Sequence, residues 1–274
     1  MLGPMRLTRT QAQALLADAG LAPSRALGQN FVVDPNTVDR VVRLAEVGPD
    51  DHVVEVGGGL GALTLALADT GATVVTVELD RHVVPLLRQQ VEPRGVQVVQ
   101  GDALDLDWAR LLAASPGWVL VANLPYNVAT PLVCDLLDGV PRLARMLVMV
   151  QREAGERLAA TAGDPAYGIP SVKVAYWATA RVVGRVPPTV FLPQPKVESV
   201  LLEIVRRPAP AVTADPTRLF ELVRAAFGQR RKMLRRSLAG ELDADAFTAA
   251  GISPEARPEQ LDVEAWGRLT DASS

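Results

Sequence analysis

Short runs of β-branched residues alternate with helical patterning along the first part of the chain. This alternation constrains the fold more than any other feature. Strands buried on both faces and separated by helices build a mainly parallel α/β sheet. VVEV (53–56) reads as a strand, Gly57 to Gly61 as a loop, and 62–69 as the start of a helix. ATVVTVELD gives a second strand closing at Glu78, and 81–92 a helix. VQVVQGDA is a third strand ending near Asp102, and WVLVANLPY a fourth. A helix at 130–138, the strand MLVMVQ and a helix at 152–161 follow. RVVGRV and VESVLLEIV are then joined by PPTVFLPQPK, too short for a parallel crossover, so an antiparallel edge hairpin is expected. RRPAPAVTADPT lacks periodicity and reads as a linker, and the chain looks helical from Arg218 onward. The expected organisation is an α/β domain over 1–207 and a small all-helical domain over 208–274.

The glycine loop E-V-G-G-G-L-G (55–61) follows a strand and opens a helix. Gly57, Gly59 and Ala62 satisfy G-x-G-x-x-G/A, which allows a tight turn and close backbone approach to a ligand. Glu78 stands 21 positions after Gly57 and can accept both hydroxyls of a ribose; Asp102 can accept from an adenine amino group. The pattern suits NAD or S-adenosylmethionine equally, and a tight strand–helix turn without a ligand is also compatible with it.

The fourth strand ends in Asn123-Leu124-Pro125-Tyr126. Proline cannot donate to a sheet ladder, so the strand must stop there. In an open α/β sheet, ligands bind beyond the carboxyl ends of the strands. An amide oxygen and the Leu124 carbonyl at such a place are acceptors suited to an exocyclic amine. The N6 lone pair of adenine is delocalised into its ring. Two acceptors holding its N–H bonds tilt the nitrogen toward tetrahedral geometry and free the pair. Tyr126 then offers a face for stacking a flipped base. An Asn-Pro turn with Tyr126 in the core is the competing reading.

Taken in order, LGQNFVVDPN (27–36), VVEVGGGLGALT (53–64), VTVELD (75–80), GDAL (101–104), NLPYN (123–127), QRE (151–153), YGIPSV (167–172), FLPQPKVES (191–199) and FGQRRKMLRRSL (227–238) resemble the ribosomal RNA adenine N6,N6-dimethyltransferases, bacterial small-subunit (16S) branch. The resemblance implies a Rossmann-like S-adenosylmethionine methyltransferase sheet and a helical C-terminal domain for RNA or ribosome binding. It implies dimethylation of two adjacent adenines in a hairpin near the 3′ end of 16S rRNA, in the immature small subunit, by a cytoplasmic monomer. The family's cofactor contacts fall on Asn30, Val32, Gly57, Gly59, Glu78, Asp102 and Asn123, and its base-handling motif on Asn123, Leu124, Pro125 and Tyr126. Phe191 matches an aromatic that stacks on the target adenine, although ordinary core packing would also explain it. Two positions depart from the family's pattern: Gly58 stands where proline is frequent, and Val32 where leucine is. Nothing beyond about residue 245 matches a motif.

Charge distribution fits an RNA partner. Net charge is −3, but residues 151–240 hold 15 Lys+Arg against 7 Asp+Glu and the rest 13 against 24. Arg230, Arg231, Lys232, Arg235 and Arg236 would track phosphates from a helix on which 231 and 235, and 232 and 236, share faces, with Met233, Leu234 and Leu238 packed inward. A solvated amphipathic helix is the bland alternative.

No run approaches the roughly 20 apolar residues of a membrane helix, and no secretion is expected. The single cysteine, Cys134, allows no internal disulfide, and the two histidines lack neighbouring ligands, so no metal is expected. Rival functions are a macrolide-resistance-type 23S rRNA adenine methyltransferase, a DNA adenine methyltransferase, an NAD oxidoreductase, and an assembly factor without activity.

Overall fold

A computed structural model describes residues 6–24 and 27–273. The residues group into two compact units, Met1–Gly155 with Arg181–Val205, and Glu156–Ala180 with Arg206–Ser274. Residues 156–180, assigned by the linear reading to the α/β domain, thus cluster with the C-terminal helices.

In chain order the elements are α1 (Arg9–Asp18), β1 (Phe31–Val32), α2 (Pro35–Ala45), β2 (His52–Val56), α3 (Ala62–Ala68), β3 (Thr73–Glu78), α4 (Val84–Val91), β4 (Gln97–Gln100), α5 (Trp108–Leu111), β5 (Trp118–Asn123), α6 (Ala129–Gly139) and β6 (Leu143–Gln151). They continue with α7 (Arg152–Leu158), α8 (Ile169–Trp177), β7 (Ala178–Val186), β8 (Phe191–Leu192), β9 (Ser199–Arg206), α9 (Pro216–Gly228), α10 (Leu234–Ser237), α11 (Ala244–Ala250) and α12 (Val263–Asp271).

The main sheet has seven strands in the order β4-β3-β2-β5-β6-β9-β7. β2 pairs in parallel with both β3 and β5, and β5 with β6. β9 runs antiparallel to β6, from Gln151↔Ser199 to Arg145↔Val205. The expected edge hairpin is therefore β7 and β9. Central strands are continuous apolar runs because helices cover both faces: Val53, Val54, Leu120 and Val121 are all fully buried. Chain order reverses between β2 and β5, with β3 and β4 on one side and β6 on the other. Such a reversal opens a crevice at the strands' carboxyl ends.

Local chemistry sets the helix ends. The Asp34 carboxylate accepts from the Thr37 N–H at 2.8 Å and Pro35 opens α2. α3, ALTLALA, is apolar except for Thr64 and is almost wholly buried, since it leaves the glycine loop straight into the core. α4 lays Leu87 and Val91, both fully buried, beneath that loop.

A second, two-stranded sheet pairs β1 with β8, Phe31 opposite Leu192 and Val32 opposite Phe191. Two-residue strands carry too little period to be read from sequence. In the second unit, Trp266, Leu219, Leu222, Val223, Leu234 and Leu238 form a fully buried core with Tyr167, whose hydroxyl donates to the Leu261 carbonyl at 2.9 Å. α8 was not expected: IPSVKVAYW is apolar around most of its circumference, so no 3.6-residue contrast marks it. The irregular segment read as a linker shrinks to 207–215, because β9 extends to Arg206 and Asp215 caps α9, accepting from the Arg218 N–H at 2.8 Å.

The basic stretch is not one helix. α9 stops at Gly228, residues 229–233 turn, and Met233 adopts an extended conformation (φ −64°, ψ 150°) before α10 begins. The expected shared faces of 231 with 235 and 232 with 236 do not form. Leu234 and Leu238 pack inward as expected, whereas Met233 is 38% exposed. Among the described residues, no helix is long and apolar enough to cross a membrane.

Leu87 supports the glycine loop, so Leu87→Ala is expected to lower unfolding free energy by about 2–5 kcal/mol. Urea denaturation of the two proteins checks this; a loss below about 1 kcal/mol would show that the loop does not rest on that side chain.

Candidate active site

The glycine loop begins where β2 ends. Gly57, Gly59 and Gly61 take positive φ values of 81°, 53° and 84°, the left-handed region open to glycine. The Gly57 N–H donates to the Val77 carbonyl at 2.8 Å, which ties the loop to β3. A Cβ on Gly59 would lie 2.8 Å from the Phe31 ring, and one on Gly58 only 2.3 Å from Thr76 Oγ1 and 2.8 Å from Leu87. Close packing from both sides thus leaves no room for side chains at these two positions.

Beside this loop lies a cleft of about 200 Å³. Nine of the residues singled out from sequence line it: Asn30, Gly57, Gly59, Glu78, Asp102, Asn123, Leu124, Pro125 and Tyr126. They arrive from the ends of β2, β3, β4 and β5 and from the segment before β1, which sequence order alone does not bring together. Val32 instead borders a smaller cavity of about 30 Å³ beneath the loop, which Glu55 and Asn123 also border. Phe191 does not line the cleft. It is fully buried opposite Val32, with Arg9 donating to its carbonyl at 2.9 Å. A ring with no exposed surface has no face to offer a base, so the core alternative describes Phe191 in this structure. The five basic residues belong to the other compact unit.

Acidic groups at the cleft are held by backbone donors. Glu78 Oε2 accepts from the Gly59 N–H at 2.8 Å and Oε1 from the Asp80 N–H at 2.9 Å. Burial nevertheless raises its pKa, outweighing those bonds. Asp102 accepts from the Leu104 N–H at 2.9 Å with Oδ1, and Oδ2 takes no hydrogen bond among the described residues. Gln29 donates to Asp80 Oδ2 at 2.8 Å, clipping the segment before β1 to the end of β3.

Asn123 is the most telling side chain. Its Nδ2 donates to the Asn30 carbonyl at 2.8 Å, which orients the amide. Its Oδ1 is buried and has no hydrogen-bond partner among the described residues. Leaving a buried acceptor unpaired costs roughly 1–3 kcal/mol, so such a group in a cleft calls for a donor from a ligand. The Leu124 carbonyl next to it also accepts nothing among the described residues. Tyr126 hydrogen-bonds through its hydroxyl to Ser199 Oγ at 2.7 Å.

The profile described as ribosomal RNA adenine dimethylase matches residues 23–273. Ribosomal RNA small subunit methyltransferase A of Kineococcus radiotolerans is 48% identical over 265 residues, 93% of this chain and 87% of its own length. Its Thermobifida fusca counterpart is 46% identical over 276 residues, 97% of this chain and 95% of its own. The chain belongs to the ribosomal RNA adenine dimethylase family. Among solved structures, a dimethyladenosine transferase from Plasmodium falciparum shares the fold, with TM-score 0.75 and 22% identity over 87% of this chain and 95% of that one. The 23S rRNA methyltransferase ErmE is similar at TM-score 0.67 and 25% identity, over 89% and 99%.

In this dimethylase, sequence reading missed Gln29, Ser199 and a buried network under the loop. Thr64 and Thr76 (the latter at 2.9 Å) both donate to Glu55 Oε2. Burial, opposed by these hydroxyls and reinforced by the charge of Glu78, pushes the Glu55 pKa up to about 7. The signal available was an acid inside an apolar strand, VVEV. Ser199 had only its place at the end of FLPQPKVES.

Glu55 gives a pH test. Its pKa is raised on folding from 4.5 to about 7, so the folded state holds the extra proton between these values. That contribution is fully present below about pH 4.5 and is lost as pH rises through 7, a swing of roughly 3 kcal/mol. Glu55→Gln should remove it, making the variant less pH-dependent than the parent and more stable at pH 8. Urea midpoints from pH 4.5 to 8 check this, and parallel curves for the two proteins would refute it.

Proposed function

We infer that this dimethylase transfers methyl groups from S-adenosylmethionine to N6 of two adjacent adenines in a hairpin near the 3′ end of 16S rRNA. The observation that carries the reading is the unpaired, buried Asn123 Oδ1 beside the free Leu124 carbonyl, two acceptors awaiting an amine at a cleft of cofactor type. The relatives that are 43–48% identical over nearly the full chain are named as small-subunit enzymes, against 25% identity to a 23S enzyme, which favours the 16S substrate.

The residues fit the cofactor. Side-chain-free Gly57 and Gly59 leave backbone open to it, Glu78 retains lone pairs for ribose hydroxyls, and the free Asp102 oxygen suits an adenine amine. Asn30, Val32 and Asn123 complete the contacts. The acidic side chains at the cleft, Glu78 and Asp102, favour a cation. When bound, S-adenosylmethionine supplies a methyl group already activated on sulfonium sulfur, so the protein's task is alignment. Asn123 Oδ1 and the Leu124 carbonyl accept the two N6 hydrogens and turn the lone pair outward. Pro125 stops the strand and holds that carbonyl in the turn. Tyr126 stacks on the base. Phe191 supports the site from beneath, through β8 and its pairing with β1. After the first transfer one N–H remains, and one acceptor must tolerate a methyl group.

RNA binding falls to the helical unit. Arg231, Lys232 and Arg236 are exposed and lack ion-pair partners among the described residues, so they are free for phosphates. Arg230 and Arg235 are partly engaged: Arg230 with the Pro165 carbonyl at 3.0 Å and Glu259 at 3.8 Å, Arg235 with Glu255 at 3.5 Å. The enzyme acts as a cytoplasmic monomer on the immature small subunit.

Radiolabelled transfer to unmethylated small subunits tests the reading, with large subunits alongside. Label is expected as N6,N6-dimethyladenine in 16S rRNA, and Asn123→Ala should lower kcat by about 10²–10³-fold. Label on large subunits alone would assign the 23S reaction instead. Replacing Arg231, Lys232 and Arg236 together by alanine should raise KM and flatten the salt dependence of KM while holding kcat. An unchanged salt slope would remove these residues from the RNA contact.

A further inference from the structure

Tyr126 is held from an unexpected direction. Its backbone lies in the turn after β5, but its hydroxyl meets Ser199 at the start of β9, 73 residues later. Ser199 is fully buried and stands opposite Gln151 of β6 in the antiparallel pair. β6 also anchors the turn itself, since the Leu124 N–H donates to the Met149 carbonyl at 3.1 Å. The start of the turn that carries Tyr126 and the hydroxyl of its ring are therefore both held by the β6–β9 side of the sheet.

Proton accounting favours one direction for this hydrogen bond. A serine hydroxyl has one proton to donate, and a buried one needs an acceptor. The Ser199 hydroxyl has no hydrogen-bond partner except Tyr126 among the described residues. Were Tyr126 the donor, the Ser199 proton would be left buried and unpaired. Either oxygen can be the donor at this distance, and the accounting favours Ser199, which leaves the Tyr126 proton uncommitted. Tyr126 is only half-buried and lines the cleft, where solvent or substrate can receive that proton.

We propose that Ser199 is a positioning residue for methyl transfer: its hydroxyl locks the Tyr126 ring in the plane that receives the target adenine and leaves the phenol proton for an acceptor of the target nucleotide. This rests on the adenine-methyltransferase reading above. A free phenol can swing its ring about two side-chain bonds, and each departure from the stacked plane moves N6 away from Asn123 and Leu124. The second transfer feels this more, because the monomethylated amine has one hydrogen left to be held. The lock thus bears on how completely each adenine is dimethylated.

A four-protein cycle tests the idea: the parent, Ser199→Ala, Tyr126→Phe and the double variant. Each is assayed for kcat and KM on small subunits, for cofactor Kd, and for the ratio of N6-monomethyl- to N6,N6-dimethyladenine. Loss of one buried hydrogen bond predicts a fall in kcat of about 5–10-fold for Ser199→Ala, with a raised monomethyl fraction and unchanged cofactor Kd. Tyr126→Phe should lose at least as much, and the double variant should be no worse than Tyr126→Phe. A purely structural serine would lower kcat by the same factor in both backgrounds, and that result overturns the proposal. So does a Ser199→Ala protein with normal kcat and product ratio. A parent enzyme that makes no dimethyladenine would overturn the underlying reading instead.

Discussion

Parallel pairing of β2 with β5 at the centre of the sheet is the constraint on which the rest of this protein depends. Val53 lies opposite Val119 and Val54 opposite Leu120. From that register both strands run out on the same edge, one into the glycine loop and the other into Asn123. Strand order diverges at this point, so no crossover helix covers the gap and a cleft is left there. Glu78 and Asp102 reach the same edge because β3 and β4 continue the parallel stack, with Glu78 opposite Gln100. The site is a consequence of register: a slip of one residue would turn every strand-end side chain to the other face.

Around the cleft the protein carries polar groups that an ordinary core would avoid. Glu55 is buried in a strand with two threonine hydroxyls as its main support. Glu78 holds the Gly59 N–H, so the carboxylate shapes the loop and remains able to accept from a ligand. Asn123 is tied at one end and, among the described residues, unpaired at the other. These are local costs borne by a well-packed surround, the usual signature of a site whose bonds are completed by something bound. The glycine at position 58 fits the same scheme. Where the family resemblance leads one to expect proline, Thr76 and Leu87 occupy the space a side chain would need, and Thr76 uses its hydroxyl on Glu55. The departure in the loop is thus bound up with the network beneath it.

The two ends of the Tyr126 side chain illustrate how distant segments cooperate. The turn N-L-P-Y is dictated locally, by a proline that ends β5. The ring's setting is dictated by Ser199, which belongs to an antiparallel strand added on the far side of β6. Likewise Gln29, ahead of β1, reaches Asp80 beyond β3. Loop residues gain precise positions here because each is hydrogen-bonded to the end of a rigid strand.

Much was legible in one dimension because its cause is local. Alternating β-branched and helical runs announced the parallel sheet, the glycine loop and its following acids marked the cofactor edge, and Asn123 to Tyr126 marked the mouth of β5. What misled was equally physical. The basic stretch has helical spacing on paper, yet α9 ends at Gly228 and an extended Met233 intervenes before α10. Phe191 has the composition of a stacking residue, yet pairing of β8 with β1 buries it. α8 escaped notice because a helix apolar on most sides has no periodic contrast. The sequence by itself thus determined the sheet, its turns and the chemical types at the strand ends, all set by neighbours along the chain. Only the tertiary structure decided which acceptor stays unpaired, which carboxylate lies buried at a raised pKa, and that Ser199 meets Tyr126. Those depend on contacts between residues tens of positions apart, and no local pattern encodes them.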